Sequence, residues 1–411
     1  MTSLLNAVAT AAQKGDHAVL ATVVKVEGSA YRRSGARMLI SSFGHGIGTI
    51  SGGCLEADVC RKAWWLTRLG HPVLQRYSTD SDSEGMDDSE DARTFGLGCN
   101  GTVSVLLQRL TAEPLPIISL LHQIENERHA GTIATVISVY PQAGIRIGDQ
   151  LLLDPLRHYR GQWAHTELEQ KVRRDLTVAL DQRQSAQHVY ADLAGEIEVF
   201  IEYIAPPRRL VVFGAGHDAQ PLVTMAKLQG WHVTVIDSRP HFAQAERFPE
   251  ADEVIAADLA QPLALQDIIV DAVVAVMTHS LRQDQHWLGE VLQYPCAYVG
   301  QLGPRQRTER LLQQIQLSHS SNLHPLPGLA ALHYPIGLDI GGDTPESVAL
   351  AILAEITAVL NQRSGGLLKL REAAIHPVDP IGFESLVPNR ADDLGAPNLK
   401  SKLEENLRVA R

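Results

Sequence analysis

The segment RLVVFGAGHDAQPLVTMAKLQGWHVTVIDSR at 209–239 constrains the fold more than any other part of the chain. A β-branched run, LVVF, stops at Gly214-Ala-Gly216-His217-Asp-Ala219, and a helical pattern begins at once. The first glycine permits a tight turn and the second lets the backbone approach a diphosphate. The small third residue lets helix and strand pack, so the helix N-terminus aims at an anion. Asp237 closes the next strand, 23 positions after Gly214, where an acid can hold a ribose hydroxyl. Further strands at 272–277 and 297–300 alternate with helical segments, which predicts a parallel sheet with covering helices.

Ligands of such sheets lie beyond the carboxyl ends of the strands. The same crevice therefore collects His279 of Thr278-His279-Ser280 and Gly300, Gly303 and Arg305 of GQLGPRQR. Arg305 and Arg307 suit a phosphate clamp, against the plainer reading of a solvated first turn, and His279 reads alternatively as a helix-entry residue. Asp339, between Gly337 and Gly341, can accept hydrogen bonds from a heterocycle, while Thr344, Pro345 and Glu346 read as a helix start. An anion site of this kind serves any phosphate ester, so NAD(P) is one ligand among several.

The first half of the chain repeats itself. Shifting it by 113 residues lays ATVVKV over ATVISV, Arg33 over Arg146, Gly35 over Gly148 and RMLI over QLLL, with eight identities in 20 ungapped positions. The register continues through Gly48 and Gly161, Leu55 and Leu168, Glu56 and Glu169, and Val59 and Val172, as duplication requires. SGGC at 51–54 falls instead over Ala164, His165, Thr166 and Glu167, so the shared scaffold does not demand Gly52, Gly53 and Cys54. Those residues, with Cys99 in Gly98-Cys99-Asn100-Gly101, are candidates for chemistry. Flanking glycines expose a thiol and let backbone amides converge on it or on an anion. The acidic stretch at 78–95 reads as a solvated insert or as a lid near Cys99.

A formal charge of −11 with no basic stripe excludes a nucleic-acid partner. No apolar run is long enough to insert in a membrane and the N-terminus lacks the pattern of a signal peptide, so a cytoplasmic protein is expected. Four cysteines without a Cys-x-x-Cys pair argue against a disulfide framework or structural zinc, and Cys60 and Cys296 sit in apolar contexts. The expectation is an α/β chain with a pseudo-duplicated α+β lobe over 1–205, in units of about 1–110 and 111–205. A Rossmann-like domain follows at 208–372 and an extended tail at 373–411.

These residues resemble the XdhC/CoxI family, the accessory proteins of xanthine dehydrogenase-type molybdenum hydroxylases. GSAYRRSGARMLI at 28–40, GTISGGCLEADV at 48–59 and GLGCNG at 96–101 carry the likeness in the first half. LVVFGAGHDAQPL at 210–222, VIDSRPHFAQAERFP at 235–249, THS at 278–280, VGQLGPRQRTERLL at 299–312 and PIGLDIGGDTPESVALAILAEI at 335–356 carry it in the second. Tyr31 and Asn100 depart from the family's proline and glycine. The resemblance implies a maturation chaperone, not an enzyme in its own right, that binds molybdenum cofactor as molybdopterin or its dinucleotide. It also implies sulfuration with a cysteine desulfurase, delivery to an apo molybdenum hydroxylase, and Cys54 or Cys99 near the molybdenum. A homodimer is a further expectation. The competing readings are an NAD(P)-dependent oxidoreductase and a pure scaffold.

Overall fold

The computed structural model describes residues 2–28, 31–53, 55–78, 101–111, 113–191, 194–318, 326–372 and 380–385. They divide into two compact units, one built on Ser3–Ala205 together with the chain from Val378, the other on Pro206–Pro377.

The first unit contains two sheets of one topology. Helix α1 (Thr2–Lys14) leads into β1 (Ala18–Gly28), β2 (Arg37–Ser41), β3 (Gly46–Gly48), α2 (Glu56–Leu66), β4 (Val73–Ser78) and β5 (Gly101–Arg109), with antiparallel sheet order β3-β2-β1-β5-β4. The second set is α3 (Pro116–Glu127), β6 (Gly131–Ser138), β7 (Gln150–Leu153), β8 (Tyr159–Arg160), α4 (Thr166–Gln182), β9 (Ala186–Ala191) and β10 (Glu196–Ile204). Its antiparallel order, β8-β7-β6-β10-β9, is that of the first copy.

The copies agree in detail. The amide of Gly35 donates to Val23 O at 2.7 Å and that of Gly148 to Val136 O at 2.8 Å. Gly48 and Gly161 both adopt the left-handed region, at φ +94° and +90°. A Cβ there would stand 2.5 Å from Arg37 O and 2.8 Å from Gln150 O, so sterics and conformation both require glycine. In each copy the inward faces of the strands pack on the helix: Val19, Val23, Ile40 and Val105 with Leu55, Val59 and Ala63 in one, Ala134, Val136, Leu153 and Val199 with Leu168, Val172 and Leu176 in the other.

Residues of the two copies also meet. Val24, Leu106, Ile137 and Phe200 form an apolar cluster between them. Beside it the Arg37 guanidinium makes a bidentate pair with Glu202, through Nη1 to Oε1 at 2.9 Å and through Nη2 to Oε2, with the two side chains only 10% and 9% exposed. Lys25 pairs with Glu198 at 2.9 Å, and Gln187 Nε2 donates to Val24 O at 2.7 Å.

The second unit is a parallel sheet. Its elements are β11 (Arg209–Phe213), α5 (Ala219–Leu228), β12 (His232–Asp237), β13 (Glu253–Ala256), α6 (Leu265–Ile269), β14 (Val273–Val276), α7 (Leu281–Val291), β15 (Tyr298–Gln301), α8 (Arg305–Ser318), β16 (Leu332–His333) and α9 (Pro345–Leu360). The order β13-β12-β11-β14-β15-β16, with every neighbouring pair parallel, reverses direction between β11 and β14 and leaves a ligand crevice there. Alternate residues feed two cores. Leu210, Val212, Val233 and Val235 pack with Leu222, Ile352 and Ile356, while Val211, Phe213, Val274 and Val276 pack with Trp287, Leu288, Leu311 and Ile315. Helix α9 starts as expected, with Thr344 Oγ1 accepting from the Ser347 amide at 3.2 Å and Pro345 in its first turn.

Within the segment expected as a tail, β17 (Ile381–Ser385) pairs parallel with β9 and extends the second copy's sheet. Among the described residues no helix is long and apolar enough to cross a membrane.

Candidate functional site

Strand β11 ends in the fully buried Phe213, and the chain turns at Gly214 with φ +118°. A Cβ on Gly214 would lie 2.5 Å from Met277 O at the end of the neighbouring strand, so the turn needs glycine on two counts. Ala215 and Ala219 are buried, His217 is exposed, and Asp218 stands at the N-cap of α5. His279 takes a left-handed φ of +61°, uncommon outside glycine. Its Nε2 lies 2.9 Å from Asp218 Oδ2, and its ring stands 3.7 Å from where a Gly216 Cβ would be. The glycine turn and the THS loop thus meet over the crevice.

Asp237 stands elsewhere than its expected ribose-binding role requires. It is 0% exposed. Its Oδ2 accepts from the Ala215 amide and Arg239 Nη2, both at 2.7 Å, and its Oδ1 from the Arg239 amide and Nε, both at 2.9 Å. A carboxylate offers about four lone-pair sites, and all are used. Burial alone would raise the Asp237 carboxyl, but the Arg239 guanidinium and the Ala215 and Arg239 amides hold it below the ordinary carboxylate range. The acid therefore braces the glycine turn from beneath.

Two guanidiniums that sequence reasoning passed over stand at the same turn. Arg239 lies 4.0 Å over the Phe242 ring, and Arg247, 4.7 Å from that ring, donates through Nη1 to Ala215 O at 2.8 Å. Next to them Ser238, Pro240, Ala256, Asp258, Leu259 and Arg282 line a cavity of about 560 Å³ beyond the ends of β12 and β13. Arg239, two residues past the strand-closing acid, was the readable signal.

The buried Asp284 is a further residue missed. Its Oδ1 accepts from Thr278 Oγ1 at 2.5 Å and the Thr278 amide at 3.1 Å, and its Oδ2 from Arg307 Nη2 at 2.6 Å. Of the two arginines weighed as a clamp, Arg307 is thus committed to Asp284, whereas Arg305 is exposed, 5.4 Å over the Tyr334 ring. Gly300 serves packing, since a Cβ there would come 2.2 Å from Ile336 Cδ1. Gly303 turns with φ +119° between β15 and α8. Glu355 anchors the loop that carries Asp339, its Oε2 accepting from Tyr298 Oη at 2.5 Å and the Gly337 amide at 2.6 Å. Asp339 itself is exposed.

In the first unit Gly52 and Gly53 lie in a loop wrapped on Glu56. The Glu56 carboxylate accepts from Thr49 Oγ1 at 2.6 Å, the amides of Ile50, Ser51 and Gly53 at 3.2, 2.8 and 3.0 Å, and Ser51 Oγ. The amides expected to cradle an external anion therefore hold the chain's own carboxylate. In the second copy Glu169 Oε2 takes the Trp163 amide at 2.7 Å, the counterpart of Ile50. This duty belongs to the scaffold, and Tyr31 packs over Gly52.

Burial raises Glu56, but the Ser51 and Thr49 hydroxyls and the Ser51 amide prevail and bring its carboxyl from 4.5 to about 2. A folded value below the unfolded one contributes stability that is complete above about pH 4.5 and is lost as pH falls toward 2. The gap in melting temperature between the wild type and Glu56→Gln is expected to be constant near neutrality and to close in that acid window. A gap independent of pH would contradict it.

Cys54 and Cys99 lie outside the described residues, as do 79–100, which hold nearly all of the acidic stretch. Burial, reinforced by Asp271, pushes the Cys296 thiol up to about 12, and burial followed by Glu56 raises Cys60, which makes both poor nucleophiles. Among the described residues no group of three or more His, Cys, Asp or Glu side chains is placed to hold a metal.

Comparison with known proteins agrees with this architecture. Residues 11–78 match the XdhC and CoxI family and residues 210–356 the XdhC Rossmann domain. A Bacillus subtilis protein whose name marks it as a probable component of xanthine dehydrogenase is 32% identical over 347 residues, 83% of this chain and 92% of the relative. The molybdenum cofactor insertion chaperone PaoD of Escherichia coli is 23% identical over 87% of this chain and 88% of its own length. A crystal structure described as a xanthine dehydrogenase from Bacillus halodurans superposes with a TM-score of 0.67 at 29% identity, over 88% of this chain and 96% of that one. With a duplicated α+β unit, a parallel sheet in Rossmann order and relatives along most of its length, the chain belongs to the XdhC and CoxI family.

Proposed function

We propose that this protein is a maturation factor for a molybdenum hydroxylase of the xanthine dehydrogenase class and that it holds molybdenum cofactor in the crevice of its Rossmann unit. In this reading the cofactor's phosphate is received by the N-terminus of α5 at Gly214, Gly216, His217 and Ala219, with His279, Gly303, Arg305 and Asp339 around it. Asp237 and Gly300 position these groups from below. The cofactor supplies the molybdenum centre that the target enzyme uses. This chain's part is to bind it, to favour or protect its sulfuration by a cysteine desulfurase, and to pass it to the apo-enzyme in the cytoplasm.

The observation that carries the reading is the saturation of Asp237. The acid that would grip a ribose diol has no lone pair left, while Arg239 and Arg247 put two guanidiniums at the turn. That balance suits a phosphate ester better than the diol of NAD. Similarity to a molybdenum cofactor insertion chaperone supports the choice of cargo. Cys54 and Cys99 remain the candidate thiols for the molybdenum end. A second reading has one observation in its favour: an arginine such as Arg239 after the second strand can accommodate a 2′-phosphate, which points to an NADP-dependent oxidoreductase.

Anaerobic incubation with molybdenum cofactor, NAD and NADP in turn, followed by desalting, separates these readings. Retention of the pterin alone is expected, and retention of NADP alone would overturn the chaperone reading. His279→Ala is expected to weaken pterin retention about tenfold, as loss of one charge-assisted contact implies. Loss of retention in Cys99→Ala or Cys54→Ala is expected as well, and unchanged retention in both would remove the thiol contribution.

A further inference from the structure

The two copies of the first unit treat one groove in opposite ways. In the second copy Tyr159, on the edge strand β8, lies against α4. Its hydroxyl meets Arg173 O at 3.0 Å and Thr177 Oγ1 at 2.6 Å. The Arg173 guanidinium stacks 4.9 Å from the ring while its Nη2 pairs with Glu169 at 2.8 Å. An aromatic ring and a cation therefore fill the space between helix and edge strand.

The first copy has the same fold but neither the tyrosine nor the arginine, and the flexible Met38 thioether, 2.8 Å from where a Gly46 Cβ would stand, takes only part of the space. Gly46 faces Ile40 across the ladder as Tyr159 faces Leu153, which puts Gly46 in the place of the tyrosine. Cys60 stands where Arg173 does, four residues after Glu56 as Arg173 is after Glu169. A cavity of about 490 Å³ opens there, lined by Met38, Gly46, Ala57 and Cys60 and by the charged Glu56 and Arg61. At its rim is Phe43, in the β2–β3 turn and 80% exposed. Trp65, four residues beyond the groove residue Arg61 on α2, is also exposed.

A hole whose counterpart holds an aromatic ring, beside an exposed aromatic ring, makes a surface complementary to itself. Such a patch is what a two-fold axis requires, because each protomer offers both knob and hole. We propose that the first copy forms a homodimer contact in which Phe43 of each protomer enters the groove over Gly46 and Cys60 of the other. It occupies in trans the place that Tyr159 takes within its own copy. This inference stands independently of what the Rossmann unit binds.

Sedimentation velocity on the full chain over a hundredfold range of concentration tests it. The wild type is expected at twice the chain mass. Phe43→Ser removes the knob, and Gly46→Tyr, together with Cys60→Arg, fills the hole as the second copy does. Each is expected to weaken self-association by about tenfold or more. Leu156→Ser, at the position equivalent to Phe43 in the second copy, is expected to leave it unchanged. Should the filled-groove variant fail to fold, as circular dichroism would show, Phe43→Ser at an exposed turn carries the test alone. A wild type at single-chain mass throughout, or a dimer indifferent to Phe43→Ser, would overturn the proposal.

Discussion

Asp284→Ala is expected to destabilise the Rossmann unit by about 3–5 kcal/mol, the usual cost of breaking a buried ion pair by removing one partner. Asp284 is 1% exposed and is the acceptor for the Thr278 amide, Thr278 Oγ1 and Arg307 Nη2. Alanine leaves two donors and a guanidinium facing a cavity. Because Thr278 precedes His279, the loop over the glycine turn loses its latch, and cofactor retention should fall together with the melting temperature. At roughly 2–4 °C per kcal/mol for a unit of this size, the melting shift is on the order of 10 °C. Asp284→Asn keeps an acceptor for Thr278 but not the charge facing Arg307, so a smaller loss is expected. A thermal scan showing a drop of under about 1 kcal/mol for the alanine variant would contradict this account.

The second large effect is expected where the two copies meet. Arg37→Met or Glu202→Leu alone should cost about 3–5 kcal/mol, since each strands a charge that is almost fully buried. The double replacement Arg37→Met with Glu202→Leu should return within about 1 kcal/mol of the wild type or exceed it. Desolvating two charges is repaid only when every polar atom is satisfied, and the buried Arg37 Nε has no partner among the described residues. Urea unfolding of the three variants measures the coupling. Additive losses in the double variant would mean that the two residues are not coupled, and would contradict this account.

The framework could be read from the sequence because it rests on local rules. The 113-residue offset located two sheets of one topology, since glycines such as Gly48 and Gly161 are required by backbone sterics and mark the register. The LVVF-to-Ala219 turn announced the parallel sheet for the same reason, and Gly214 meets Met277 O as such a turn demands.

What stayed hidden was the use of charged side chains. Asp237 read as a ligand contact because position alone does not tell whether its lone pairs are free, and the Ala215 amide that takes one is brought near only by pairing of β11 with β12. Asp284 went unremarked, because nothing in LRQDQHWLGEV discloses its burial. Glu56 left one clue: it is shared with Glu169 where SGGC is not, which marks it as scaffold and the glycines around it as specific to the first copy.

Strand β17 changes what counts as a domain in this chain. The polypeptide leaves the duplicated unit at Ala205, builds the Rossmann sheet, and then returns to lay Ile381–Ser385 along β9. The Rossmann unit is thus a guest between two pieces of its host. A chain cut near residue 205 would separate the host from its last strand and leave β9 as a bare edge open to pairing with any extended segment. Protein engineers who want the halves separately should excise the guest and join its flanks, instead of dividing the gene in two.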